Sequence, residues 1–213
     1  MNIDHKKQQI MYWGIFFLVC ISATQLVLSL ISVAGNESTQ FSQTVAIERA
    51  SQKIHAAILH TSKGAITIQF NSRVAPSTIN NFIAFASSNF YDGTKFHRVV
   101  KDLLIQGGDP LSREKDKSLY GTGGPGFVYE DEIESLPMKY GAVAMANRGK
   151  PNTNGSQFFI VTNKNGAPEL EGKYTIFGEV LNGKEVVDAI NDTPTDIEDI
   201  PVEDITITSI ELR

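Results

Sequence analysis

Cysteine and tryptophan are nearly missing from this 213-residue chain: Cys20 and Trp13 are the sole examples, both near the N-terminus. One cysteine excludes an intramolecular disulfide and any metal centre built on cysteine. The four histidines, His5, His55, His60 and His97, lack the close spacing of a metal-ligating pair, so no metal site is expected. No long basic run occurs and the net charge is −5, which argues against nucleic acid as the main partner. The acidic excess reads as soluble surface. Internal repeats and low-complexity tracts are absent as well. Hydrophobic residues make up 41% and charged residues 20% of the chain, a balance that describes a globular body rather than a disordered one.

What is present begins with an uncharged apolar run over residues 10–34. A bilayer core needs about 20 helical residues, so this run is long enough to span one. Tyr12 and Trp13 sit near its start, where amphipathic rings favour the membrane interface. Lys6 and Lys7 precede it and no positive charge follows directly, which places the N-terminus in the cytoplasm and the rest outside. A cleaved signal peptide is the competing reading, since Ser32-Val33-Ala34 suits a signal peptidase. The run exceeds the about 7–15 residues of an ordinary signal core, which favours an uncleaved anchor. The expected organisation is therefore a cytoplasmic tail (1–9), a transmembrane signal anchor (10–34), a polar linker (35–52) and a folded domain (53–213). That makes a single-pass membrane protein with its domain extracytoplasmic, or a secreted one if the segment is cleaved.

The domain reads as many short strands and two helices. Residues 54–60 and 65–70 are apolar and β-branched around Ser62-Lys63-Gly64, a hairpin signal. Pro76 opens a helix carrying Ile79, Phe82, Ile83 and Ala86 on one face. Strands are expected around Val99, 103–105, 142–146, 158–162, 174–180 and the Ile205, Ile207, Ile210 series, with a second helix over 184–191. Residues 111–120 read as a solvated loop. Such a pattern fits a mainly β barrel, although pattern alone would also permit a sandwich.

Two runs carry chemistry. The first is Phe96-His97-Arg98-Val99-Val100-Lys101-Asp102-Leu103-Leu104-Ile105-Gln106-Gly107-Gly108-Asp109. Strand alternation puts Phe96, Arg98 and Val100 on one face, and Leu104 and Gln106 on one face of the next strand. A tight turn at Lys101-Asp102 would bring Arg98 near Gln106. A cation and an amide among apolar neighbours can hold and polarise an amide without breaking it. The second run is Met145-Ala146-Asn147-Arg148-Gly149-Lys150-Pro151-Asn152-Thr153-Asn154-Gly155-Ser156-Gln157-Phe158-Phe159-Ile160-Val161-Thr162. Together with Gly121-Thr122-Gly123-Gly124, these runs resemble the cyclophilins, which are peptidyl-prolyl cis-trans isomerases. The resemblance spans roughly residues 53–213.

The resemblance implies a closed eight-stranded antiparallel barrel capped by two helices, in addition to the transmembrane helix. It implies catalysis by Arg98, with Gln106 holding a substrate carbonyl and Gln157 a second pocket glutamine. Asn147 matches a residue whose backbone pairs with extended substrate, and Ala146 a small groove residue. Phe159, Leu104 and Leu170 match the pocket for the prolyl ring. Tyr174 stands where histidine is common, Leu103 where phenylalanine is usual, and Glu169 where many members carry the tryptophan that contacts cyclosporin. A reshaped pocket with weak or no cyclosporin binding is expected. No cofactor is implied, and the partners are proline-containing polypeptides. The alternative is a catalytically weak module that binds proline peptides at the membrane.

The run Gly121-Thr122-Gly123-Gly124-Pro125-Gly126 satisfies a dinucleotide-binding pattern literally, but no strand-to-helix context surrounds it, so no nucleotide is expected. Its glycines would let a substrate backbone approach closely.

Overall fold

A computed structural model describes residues 54–213. The expected cytoplasmic tail, anchor and linker lie outside the described residues; among the described residues no helix is long and apolar enough to cross a membrane. Eight strands form one sheet: β1 (Ala56–Thr61), β2 (Gly64–Phe70), β3 (Arg98–Val100), β4 (Leu104–Gly107), β5 (Ala142–Met145), β6 (Phe158–Val161), β7 (Ile176–Asn182) and β8 (Ile207–Leu212). Two helices accompany them, α1 (Pro76–Ser87) and α2 (Lys184–Asn191). The strand order is β3-β4-β6-β5-β7-β2-β1-β8, and every pairing is antiparallel.

The expected closed barrel needs correction, because the end strands β3 and β8 do not pair with each other. Strand β3 is only three residues long, and the chain ahead of it, residues 95–97, has left strand geometry. The seam is instead spanned between the residues ahead of β3 and the start of β8 with the residues just before it. Gly93 N donates to Ile207 O (2.8 Å), Ile207 N to Thr94 O (2.7 Å) and Phe96 N to Ile205 O (2.9 Å). These bonds satisfy backbone groups that an open edge would leave bare.

Two further expectations change. Residues 95–97 precede β3 rather than belonging to it, so Phe96 packs in the interior with Val99 instead of sharing the Arg98 face. The 111–120 stretch is not a plain loop. It contains two short 3-10 turns, Pro110–Arg113 and Lys117–Leu119, started by Asp109 and Asp116, whose carboxylates accept from Leu111 N (2.8 Å) and Ser118 N (3.0 Å).

The main core lies between the inner sheet face and α1. Phe82 of α1 meets the rings of Phe70, Tyr91, Phe158 and Phe177, with centroids 5.0–5.7 Å away. Helix α1 begins on Pro76, whose missing N–H would have no intrahelical partner in any case. The residue before it, Ala75, offers no side-chain cap. Glu132 substitutes from far along the chain: its carboxylate accepts from Ser77 N (3.0 Å) and Thr78 N (2.7 Å). The anion therefore meets both the orphan N–H groups and the positive end of the helix dipole. Gly183 precedes α2 at φ +84°, where a Cβ would lie 2.2 Å from Ala65 O, so only glycine fits.

A second, smaller apolar cluster covers the outer sheet face. Leu104, Met138, Ala142, Ala144, Phe159, Val161 and Ala167 form it, with Val100, Leu103, Ala146, Leu170, Tyr174 and Ile176 packed at its margin. Strand alternation builds both clusters at once: Phe158 faces inward and Phe159 outward.

Candidate active site

The β3–β4 hairpin fixes the first two side chains. Leu103 N donates to Val100 O (3.0 Å) across the Lys101-Asp102 turn, with Asp102 at φ +56°. Helix α2 braces the turn through Asn191 Oδ1, which accepts from Asp102 N (2.9 Å). The resulting register sets Arg98 opposite Gln106 and Val100 opposite Leu104. On the other side of β4, Gln106 is paired with Phe159, and Phe159 in turn with Ala144. Arg98, Gln106 and Phe159 thus run in one row across three strands.

Gln106 is anchored by a chain of amides. Its Nε2 donates to Gln157 Oε1 (2.8 Å), and Gln157 Nε2 donates to Gly121 O (3.0 Å) and Gly123 O (2.9 Å). Two carbonyl acceptors fix which end of the Gln157 amide is nitrogen, and that choice propagates to Gln106. Gln106 keeps its second N–H and its carbonyl oxygen for the groove. The glycine loop lines the groove and has a structural role besides. Its carbonyls hold Gln157, and Gly123 leaves room for Asp109, whose Oδ1 would lie 2.1 Å from a Cβ there. Asp109 Oδ2 also accepts from Gly123 N (3.3 Å).

The groove beside these amides is lined by Gln106, Gly123, Phe127, Val128, Ala146, Asn147, Thr153 and Gln157 among others. The Asn147 side chain is tied down, with Nδ2 donating to Lys173 O (3.1 Å) and Oδ1 accepting from Gly149 N (3.1 Å). Ala146 N donates to Gln157 O (2.9 Å), which locks the β5 end against β6. Next to this polar wall lies the apolar patch. Phe159 and Tyr174 meet edge to face with centroids 5.2 Å apart, while Leu103, Leu104 and Leu170 pack in the same cluster. All ten residues singled out from sequence thus fall on the outer side of the sheet: Arg98 and the two glutamines on the polar side with Asn147 and Ala146, the remaining five in the apolar cluster, where Phe159 and Leu104 are buried.

Four contributors carry no sequence signal of their own. Asp199 places Oδ2 3.5 Å from Arg98 Nη2, with both side chains nearly half exposed. Phe127 and Val128 line the groove while exposed. His97, beside Arg98, is 3% exposed, and neither ring nitrogen has a hydrogen-bond partner among the described residues. Burial is the main cause holding its pKa below 6.5, and the Arg98 charge pushes the same way, against the opposing field of Asp109.

An arginine, a fixed amide and an apolar ring site in one row suit recognition of a tertiary amide. The cyclophilin-type peptidyl-prolyl cis-trans isomerase family profile matches residues 56–212. The chain belongs to this family. Relatives named as peptidyl-prolyl cis-trans isomerases align with most of the chain. A Staphylococcus aureus (strain USA300) protein bearing a peptidyl-prolyl cis-trans isomerase name is 36% identical over an alignment of 184 residues, which covers 73% of this chain and 90% of that one. A Staphylococcus epidermidis (strain RP62A) relative of the same name is also 36% identical, over 185 residues and with the same coverage. Among solved structures, a cyclophilin-type isomerase of Cryptosporidium parvum superposes with a TM-score of 0.69 at 34% identity, covering 75% of this chain and 98% of that one. A second crystal structure of that isomerase, obtained in the presence of the dipeptide Ala-Pro, gives a TM-score of 0.67. The cyclophilin here is accordingly a peptidyl-prolyl cis-trans isomerase with a mainly β fold of eight antiparallel strands and two helices.

Proposed function

We propose that Arg98 is the catalytic residue and that the Arg98–Gln106–Phe159 row binds the Xaa-Pro unit. The single observation that carries this reading is the cross-strand register that aligns the three. Rotation about a peptide C–N bond faces a barrier of about 18–20 kcal/mol because the bond has double-bond character. In the twisted state the prolyl nitrogen recovers its lone pair. A guanidinium, permanently charged, can donate to that lone pair and so favours the twisted state over either planar one. Gln106, preset by Gln157, holds the neighbouring carbonyl. The Phe159, Leu104, Leu103, Leu170 and Tyr174 patch takes the prolyl ring, and Asn147 and Ala146 flank the extended peptide. No bond is broken, so neither a nucleophile nor a proton acceptor is required.

The clients are proline-containing segments of exported or surface polypeptides, and the apolar run at 10–34 anchors the enzyme with this domain outside the cytoplasm. Support for this comes from the length of the run and the lysines ahead of it. Cyclosporin binds weakly or not at all, because Glu169 puts a carboxylate on the 3-10 turn Pro168–Leu170 at the edge of the patch. The test of catalysis is isomerisation of a short Xaa-Pro peptide by the full chain and by Arg98→Ala. A folded protein that accelerates nothing would move the assignment to a proline-peptide binding module.

A further inference from the structure

We infer that Asp199 is a positioning residue for the isomerase reaction, holding the Arg98 guanidinium in its working orientation. This rests on the reading of Arg98 given above. Strand β3 has β4 on one side and no strand on the other. On that free edge Asp199 makes two contacts from a single residue. Its backbone O accepts from Val99 N (2.8 Å), and its carboxylate lies 3.5 Å from Arg98 Nη2. The backbone bond fixes where the carboxylate stands relative to the strand that carries the arginine.

The segment presenting Asp199 is itself well braced. Asp196 Oδ1 accepts from Glu198 N (2.9 Å) and Ile200 N (3.0 Å), and Asp196 N donates to Ile200 O (2.9 Å). Thr195 and Pro201 form an isolated antiparallel bridge, and Lys117 Nζ donates to Pro201 O (2.9 Å). Within this tight hairpin Asp199 sits at φ +63°, a left-handed conformation that Asp, Asn and Gly enter more easily than other residues. That conformation lets the carbonyl meet Val99 while the carboxylate meets Arg98.

The consequence is chemical. A guanidinium has five N–H donors in a fixed plane. The Asp199 carboxylate, 3.5 Å from Nη2, biases the plane toward one orientation, and its other donors remain for the prolyl nitrogen and adjacent carbonyl. Between half-exposed groups such a pair is weak in water. When a prolyl substrate covers this face and excludes water, the same pair strengthens. Its effect is therefore felt more in the reacting complex than in substrate capture, and kcat responds more than KM.

The experiment compares the full-chain protein with Asp199→Asn, Asp199→Gly, Arg98→Ala and the Arg98→Ala/Asp199→Asn double variant. It reads kcat and KM for an Xaa-Pro peptide together with the thermal midpoint. Asn and Gly both tolerate the left-handed backbone, so if one fails to fold the other carries the test. The expected result is a kcat lowered roughly three- to tenfold in the single Asp199 variants, the size of about 1 kcal/mol or slightly more. KM should stay within about twofold, and the midpoint should hold. In the Arg98→Ala background, removing the carboxylate should change nothing further. An unchanged or raised kcat, or an equal loss with and without Arg98, would overturn the inference while leaving Arg98 catalytic. Full activity in Arg98→Ala would instead remove the reading on which it rests.

Discussion

Gln157 carries Gln106: a single amide accepts from Gln106 Nε2 at 2.8 Å and donates to the carbonyls of Gly121 and Gly123 at 3.0 and 2.9 Å. The glycine loop, the β6 entry and the β4 side chain become one hydrogen-bonded unit. Gln157→Glu tests it. A carboxylate can still accept from Gln106, but it cannot donate to the two carbonyls and sets a negative charge against them. We expect kcat/KM for an Xaa-Pro peptide to fall roughly tenfold or more, the equivalent of about one misplaced hydrogen bond. Activity within twofold of the parent would show that Gln106 needs no such support.

The Glu132 cap predicts a stability effect far from the groove. Its carboxylate is the acceptor for two N–H groups at the start of α1, and Phe82 of that helix sits among the core aromatics. Loss of a helix cap costs about 0.5–2 kcal/mol. Glu132→Ala should therefore lower the thermal midpoint by roughly 2–6 °C for a domain of this size. Glu132→Gln retains one acceptor and should fall in between. A midpoint unmoved in the alanine variant would contradict the cap.

His97 sets a pH window. Its pKa in the folded protein lies below 6.5, because burial penalises the imidazolium. Between the folded and unfolded values the unfolded chain binds more protons, so stability rises with pH there. The contribution is complete above about pH 6.5 and is lost as pH falls below it toward the folded value. The difference in chemical denaturation midpoint between pH 7.5 and pH 5.5 should shrink in His97→Gln. An identical pH dependence in both proteins would mean that other groups govern it.

These relationships differ in how far they could be read from residue order. Alternation and the Lys101-Asp102 break were enough to anticipate that Arg98 and Gln106 face one another, because hairpin register is a local property. The same logic put Phe158 and Phe159 on opposite faces. Phe96 defeated it: the chain leaves strand geometry at residues 95–97 to bond with Ile205 and Thr206, a tertiary event with no local trace. The open seam between β3 and β8 has the same cause. Glu132 and Asp199 reach their partners from distant loops, and neither belongs to a motif with fixed spacing. Long-range ionic and capping contacts of this kind leave no periodic signature, so they surface only when the backbone has been traced through space.

Catalysis by this domain turns on Arg98. The most direct measurement is the rate of cis-trans exchange of a short Xaa-Pro peptide by the full-chain protein, beside an Arg98→Ala variant whose thermal midpoint matches. The guanidinium mechanism predicts clear acceleration by the parent and a loss of roughly a hundredfold or more in the variant, the size expected when an electrostatic donor to the reacting group is removed. A folded variant that keeps most of the parent rate would contradict it.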